Sequence, residues 1–199
     1  MLLGDTQGTE TRSGPGWMSA GIPGFDTFLA DRDGQPVGEG LPGLIAVRQP
    51  RHQMSSGYEN APALWADRWR GDVFLTEDRA VTDADGRWQI LGRDDDMIIA
   101  SGHNISPVEV ENALLQHPAV ADAAAVAYED PVRGGVVRAV VVRADPPGDD
   151  SDLVTQLKQL VAQRVGLYAA PKVVDFRPDL PRTEVGKLRR AAVRALPTT

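Results

Sequence analysis

The sequence predicts an α+β protein, with a β-rich N-terminal segment followed by a compact α+β domain in which a small sheet is flanked by helices. Three observations lead there. Up to about Leu91 the chain is built of short apolar runs separated by Asp-x-Asp-Gly turns, the pattern of hairpins. Beyond Asp95 two Val- and Ala-rich runs, Val120–Tyr128 and Val136–Val142, suit buried strands. Two helix signals lie around those runs, one before Val108 and one across Leu153–Val161. The change of texture falls near Arg93–Asp96, and the roughly 100 residues after it are a usual domain size.

Residues 1–24 are rich in Gly, Pro, Ser and Thr without apolar period and predict a loop. Phe25–Ala30 and Leu44–Val47 are short strand candidates, the first followed by Asp31-Arg32-Asp33-Gly34. A second such turn, Asp83-Ala84-Asp85-Gly86, lies between Arg79–Thr82 and Trp88–Leu91. Glycine tolerates positive φ, so both are tight turns. Neither meets the spacing of a calcium loop. Ala61–Trp69 is a short helix candidate and Met97–Ala100 a short strand. Ser106-Pro107-Val108-Glu109 joins a serine N-cap, a first-turn proline and a capping-box glutamate. Val110, Ala113 and Leu114 stripe that helix, and His117-Pro118 ends it. After a Pro146-Pro147-Gly148 loop, Leu153, Leu157, Leu160 and Val161 fall on one helical face. Asp149, Asp150 and Asp152 sit at its positive end, and Gly166 lies just past it. Val173–Phe176 is one more strand, and Leu188, Ala191, Ala192 and Ala195 suggest a last amphipathic helix.

Composition narrows the function. The 199 residues carry a formal net charge of -7 and no cysteine. Disulfides and thiolate metal sites are therefore excluded. His52, His103 and His117 lack metal-ligand spacing, so no catalytic metal held by histidines is expected. No apolar run is long enough for a membrane span and no secretory signal is visible, so the expected compartment is the cytoplasm. Net acidity argues against general nucleic-acid binding, although Arg182, Lys187, Arg189, Arg190 and Arg194 cluster near the end.

The most informative stretch runs from Gly92-Arg93-Asp94-Asp95-Asp96-Met97-Ile98-Ile99-Ala100-Ser101-Gly102-His103-Asn104 to Glu111. It puts an arginine at a strand end, then an acidic run, then a strand ending at glycine, where backbone can approach a ligand. On spacing alone a charged surface hairpin fits equally well. The stretch resembles the core motif that opens the C-terminal domain of the adenylate-forming superfamily of acyl-CoA synthetases, luciferases and peptide synthetases. Leu180-Pro181-Arg182-Thr183-Glu184-Val185-Gly186-Lys187 resembles the family's terminal Pro-x-Thr-x-x-Gly-Lys motif. Phe74–Arg79 with Asp83–Gly86 is a third match. His117–Val120 and Asp130–Gly134 resemble the medium-chain or aromatic acyl-CoA synthetase branch in particular. The matches occur in family order over residues 71–190, and residues 17–48 resemble the preceding region less distinctively.

The resemblance implies domains at 1–94, a remnant of the N-terminal AMP-binding domain and its β-barrel, and at 95–199, the C-terminal domain. It implies that Asp78 binds the ATP ribose, where the residues alone also fit a turn-capping aspartate. It implies that Arg93 contacts ribose or phosphate, where an ion pair with Asp94 or Asp96 is the alternative. Asp95 would be the hinge between half-reactions. Ser101, Gly102 and His103 would line the pantetheine tunnel. Arg133 and Lys172 would lie near the CoA phosphates, though each also fits a solvated surface charge. Lys187 would enter the adenylation site, stabilising charge between the substrate carboxylate and the α-phosphate. Without the resemblance it fits a lysine opening a basic helix.

The substrates implied are ATP with Mg2+, coenzyme A and a carboxylic acid, with no tightly bound cofactor. Departures temper this. Glu77 stands where the family usually has glycine, so it is expected to crowd or repel the nucleotide, and Asn104 stands where many members have arginine. The family's phosphate loop and acyl pocket are absent, and Gly8-Thr9-Glu10-Thr11 only faintly resembles the adenine-side motif. The expectation is an acid–CoA ligase, seen either as a fragment or as one part of a split enzyme whose partner is a separate N-terminal domain chain. The alternative is an inactive truncated homologue, or an orphan C-terminal domain acting as a binding module.

Overall fold

A computed structural model describes residues 17–18, 25–48, 57–144 and 150–198. The chain divides into two compact units, Met1–Asp95 and Asp96–Thr199. The faint motif at 8–11, His52, the Pro146–Gly148 loop and Asp149 lie outside the described residues.

The first unit is one antiparallel sheet. Its strands are β1 (Trp17–Met18), β2 (Asp26–Ala30), β3 (Gly43–Arg48), β4 (Trp69–Arg70), β5 (Val73–Thr82) and β6 (Trp88–Arg93), with order β1-β6-β5-β3-β2 and β4 added on β5. The expectation of a loop throughout residues 1–24 is corrected at Trp17–Met18, whose backbone pairs with Gln89 and Trp88. Two residues on a sheet edge are too few to leave a periodic signal. Both Asp-x-Asp-Gly segments are side-chain-closed turns. Asp31 Oδ1 accepts from the Asp33 and Gln35 amides at 2.9 Å, and Asp83 Oδ1 accepts from Asp85 and Arg87 at 3.0 and 2.8 Å. Those oxygens bind backbone N–H groups, which explains the aspartates without an ion. Helix α1 (Pro62–Asp67) is shorter than the sequence suggests and buries none of its residues. Trp65 instead joins Tyr58, Trp69 and Phe74 in an aromatic cluster with centroids 5.1–5.7 Å apart, the edge and tilted geometries that ring quadrupoles favour.

The second unit is built on strands β9 (Val120–Asp130), β10 (Gly134–Arg143) and β11 (Val173–Phe176), with β10 antiparallel to β9 and parallel to β11. A small hairpin, β7 (Ile98–Ala100) and β8 (His103–Ile105), precedes them. Helix α2 (Pro107–Leu114) starts as the sequence predicts, the Ser106 hydroxyl accepting from the Glu109 amide at 3.1 Å, which satisfies one otherwise unpaired N-terminal N–H. Helix α3 spans Asp150–Arg164 and buries Leu153, Leu157 and Val161.

Strand alternation sorts the sheet into two faces. Ala123, Ala125, Val137, Ala139 and Val141 pack with Val110 and Leu114 of α2 and Leu157 and Val161 of α3. Ala124, Val126 and Val140 face the other way, against Leu180 and Val193. Val193 belongs to α4 (Arg190–Arg194). With helices on both faces, β9 and β10 are apolar on both sides, hence continuous Val/Ala runs rather than alternation. The last helix corrects an expectation. It is five residues long with Val193 as its buried residue; Leu188 lies outside it, in a bridge with Arg182, and Ala191 and Ala195 are exposed.

Arg138, at the centre of β10, is 1% exposed beside Asp175 at 0%. Its Nε donates to Asp175 Oδ2 at 2.5 Å, and its Nη atoms donate to the Leu196 and Pro197 carbonyls at 2.8 and 3.0 Å. A charge this deep is tolerated because all three donor nitrogens are satisfied. The pair thereby ties the end of the chain to the sheet.

Candidate functional site

In the first unit the candidates gather where β6 ends against the middle of β5. Asp78 and Arg93 are directly opposed in the ladder. The Asp78 side chain is exposed and its carboxylate has no hydrogen-bond or ion-pair partner among the described residues; only its backbone is held, its amide donating to Thr76 Oγ1 at 3.2 Å. It therefore caps no turn. Arg93 does not pair with Asp94 or Asp96. Its Nε donates to Asp95 Oδ1 at 2.9 Å and its Nη2 reaches Glu77. The Asp95 contact, reinforced by Glu77, holds the guanidinium above its ordinary range. Glu77 also accepts from Arg68, so the acid in the usual glycine position is clamped between two arginines. Its charge is matched on the protein by Arg68 and Arg93. Beside it, Arg32, Arg68, Thr76, Glu77 and Asp94 line a cleft, with Asp94 bonded to Arg32 and Arg79 at 2.8 Å each.

Asp95 is the last residue of the first unit and sits in a single 3-10 turn, Asp94–Asp96.

In the second unit the candidates sit on turns. Ser101 and Gly102 form the two-residue turn between β7 and β8, both with positive φ, 50° and 78°, the backbone of a tight hairpin. His103 follows. Its Nδ1 lies 3.0 Å from the Ser101 carbonyl, and its ring stacks on Tyr168 with centroids 4.4 Å apart. Asn104 is exposed beside it. The hairpin is seated by Gly135, where an added Cβ would lie 2.5 Å from the Ile99 carbonyl oxygen. Arg133 lies in the β9–β10 turn, its amide donating to Asp130 at 2.8 Å. That bond and the Val132 amide hold the Asp130 carboxyl below its ordinary range. Lys172 is exposed before β11, its amide bonded to the Val137 carbonyl at 2.9 Å.

Lys187 occupies a closed turn. The Thr183 amide donates to the Lys187 carbonyl at 2.8 Å, the Gly186 amide to the Thr183 carbonyl at 2.9 Å, and the Lys187 amide to Thr183 Oγ1 at 3.1 Å. Gly186 has φ +81°, a conformation glycine adopts without steric cost. Arg182 bonds the Gly186 carbonyl at 2.8 Å and pairs with Asp122 of β9. The Lys187 ammonium has no partner among the described residues, so it projects as an uncommitted charge from a fixed base. It opens no helix, since α4 begins three residues later.

Asp78, Arg93 and Asp95 are thus brought together in one unit, and Ser101, Gly102 and His103 on one hairpin of the other; no hydrogen bond or ion pair joins Arg133, Lys172 and Lys187 to one another. Among the described residues no group of three or more His, Cys, Asp or Glu side chains is placed to hold a metal ion, and no helix is long and apolar enough to cross a membrane. Reasoning from the sequence missed Arg68, which shares Glu77 with Arg93, and Tyr168, which backs His103. Neither falls at a motif position, so only the fold exposes them.

Comparison with known proteins agrees. Residues 109–187 match the model of the AMP-binding enzyme C-terminal domain. Fold and matches together define the class: the chain belongs to the adenylate-forming, AMP-binding enzyme superfamily, with residues 109–187 as its AMP-binding enzyme C-terminal domain. Its curated relatives are acyl-coenzyme A synthetases. The human mitochondrial acyl-coenzyme A synthetase ACSM4 is 38% identical over 199 residues, covering 98% of this chain and 34% of the relative. Human mitochondrial ACSM2A is 39% identical over 185 residues, covering 90% and 32%. The chain therefore spans about a third of the length of the curated relatives it matches. Among solved structures, the anthranilate CoA ligase AuaEII in complex with anthranoyl-AMP superposes with TM-score 0.86 at 27% identity, over 98% of this chain and 37% of that one. The amide bond synthetase McbA from Marinactinospora thermotolerans gives 0.80 at 31% identity, over 90% and 35%.

Proposed function

We propose that the chain supplies the nucleotide-contacting and lysine-bearing side of an acid–CoA ligase. In this reading residues 1–94 are the end of the AMP-binding domain, residues 95–199 are the mobile C-terminal domain, and the phosphate loop and acyl pocket are provided by N-terminal-domain residues other than these 199. A carboxylate oxygen of the acid attacks the α-phosphorus of ATP, delivered with Mg2+, and the bond to pyrophosphate breaks. The thiol sulfur of coenzyme A then attacks the acyl carbon, AMP leaves, and the thiol proton is released. Asp78 accepts hydrogen bonds from the ribose hydroxyls, and Arg93 contacts the nucleotide. Lys187 offsets charge developing between carboxylate and α-phosphate. Asp95 is the pivot between the two half-reactions. Ser101, Gly102 and His103 line the thiol path, with Arg133 and Lys172 toward the CoA phosphates.

The observation that carries this reading is the Lys187 ammonium, uncommitted on a turn whose backbone is closed by three hydrogen bonds. A purely structural lysine has no need of such a base. The uncommitted Asp78 carboxylate supports the nucleotide half.

One observation favours the second reading, an inactive homologue used as a binding module. Glu77 occupies the arginine that would meet the nucleotide. Pyrophosphate exchange over a panel of carboxylic acids decides between them. The ligase reading expects no exchange by the chain alone and acid-dependent exchange once an acyl-CoA synthetase N-terminal domain is added. Exchange in neither case favours the binding module.

A further inference from the structure

The segment carrying Lys187 ends in a helix too short to orient itself. α4 has five residues and one buried side chain, far below the length at which an isolated helix is stable. The buried Val193 and the Arg138 bonds to Leu196 and Pro197 seat it on the sheet, and ion pairs tie its first turn to α2 and Asp96. Arg190 makes a two-pronged contact with Glu111 of α2, at 2.8 Å to Oε1 and 2.9 Å to Oε2. Its Nε lies 3.5 Å from Asp96, and Arg194 donates to the other Asp96 oxygen at 2.7 Å. Glu111 Oε1 also accepts the Ala125 amide of β9 at 2.8 Å. The side chains are well buried, Arg190 at 15% exposure, Glu111 at 12% and Asp96 at 20%, so solvent screens them little.

The ends of this cluster are notable. Asp96 is the first residue of the second unit, next to Asp95. Arg190 is three residues past Lys187. Asp96 is thus joined by two guanidiniums to residues 94 and 98 positions later in the sequence. We propose that Asp96, Arg190 and Glu111 form a strut that locks the Lys187 turn to the segment just after the pivot, making Arg190 and Asp96 positioning residues for Lys187. A rotation at residue 95 then carries the turn with it as one body. The bidentate Arg190–Glu111 contact sets the angle, and the Arg182–Asp122 pair braces the other side of the turn. The strut itself stands on the contacts above; its meaning for catalysis rests on the roles proposed for Asp95 and Lys187.

Amide hydrogen exchange on the full chain tests the strut directly, read at the Thr183, Gly186 and Lys187 amides. Arg190→Gln and, independently, the milder Asp96→Asn are expected to speed exchange there by about fivefold or more, with β9–β10 amides unchanged. Arg190→Lys, which keeps the charge but not the fork, is expected to fall between. Asp96→Asn leaves the Arg190–Glu111 contact in place, so it reports even if Arg190→Gln unfolds the unit. Turn amides that exchange at the wild-type rate in Asp96→Asn and in every folded Arg190 variant would overturn the strut. In acid-dependent pyrophosphate exchange with an added N-terminal domain, Asp96→Asn is expected to lower kcat about tenfold or more while leaving KM for ATP unchanged. A raised KM with kcat intact would contradict positioning. Exchange absent in the wild type as well would count against the ligase reading, and the amide measurement would still decide the strut.

Discussion

The same chemical device, an arginine gripping a carboxylate, is used in opposite ways in the two units. At the β5–β6 end Arg93, Glu77 and Asp95 are 44%, 33% and 64% exposed. In the second unit Arg138 and Asp175 are 1% and 0% exposed. Exposed pairs contribute about 0–1 kcal/mol and are screened by salt. A buried pair is different, because losing one partner strands the other charge out of water at a cost of about 3–5 kcal/mol. Burial therefore separates contacts that can be handed to a ligand from contacts that hold the fold. The exposed partners of Arg93 contribute little to holding the fold. Arg138 cannot exchange its partners, and through Leu196 and Pro197 it fixes the tail behind Lys187.

The largest effect is expected for Asp175→Ala. It should destabilise the second unit by about 3–5 kcal/mol, read as loss of amide protection in β9–β11 and α4, with the first unit's sheet unaffected. A loss below about 1 kcal/mol would break the contrast. Gly135→Ala comes next. Its methyl meets a backbone oxygen, so about 1–3 kcal/mol is expected in chemical denaturation. A third test uses pH. Burial pushes the Glu111 carboxyl above its ordinary 4.5, with Arg190 and the Ala125 amide opposing and Asp96 adding to the rise. The folded state then binds the proton more tightly than the unfolded chain, so this group's contribution falls as pH climbs from 4.5 through the raised value. Glu111→Gln should flatten that slope in pH-dependent melting. Asp130 runs the other way, its contribution present above 3.8 and lost as pH falls. The smallest effect is expected for Glu77→Gln, within about 1 kcal/mol of wild type and further reduced by salt.

Much of the fold was legible because its signals are local. The Ser106 cap, the two Val/Ala strands and the Asp-x-Asp-Gly turns each lie within a few residues and were found where expected, and the α3 stripe holds at Leu153, Leu157 and Val161 but not at Leu160. The candidate site positions came from motifs. The supports were not. Arg138 meets Asp175 across 37 residues, Arg190 meets Glu111 across 79, and Arg194 meets Asp96 across 98; no period or spacing encodes such pairs. In the Val136–Val142 run the arginine reads as an interruption of apolar sequence, whereas in the fold it is the anchor. The alanines after Leu188 suggested a stripe that does not form, because Leu188 is held in the Lys187 turn and Val193 takes the buried place.

In the proposed reading Lys187 serves adenylation and its turn is built for that task. The two half-reactions measured separately, with an added N-terminal domain, test it most directly. Lys187→Ala should lower acid-dependent pyrophosphate exchange by about 100-fold or more, while thioester formation from supplied acyl-adenylate and coenzyme A continues near the wild-type rate. Pyrophosphate exchange undiminished in Lys187→Ala would contradict it.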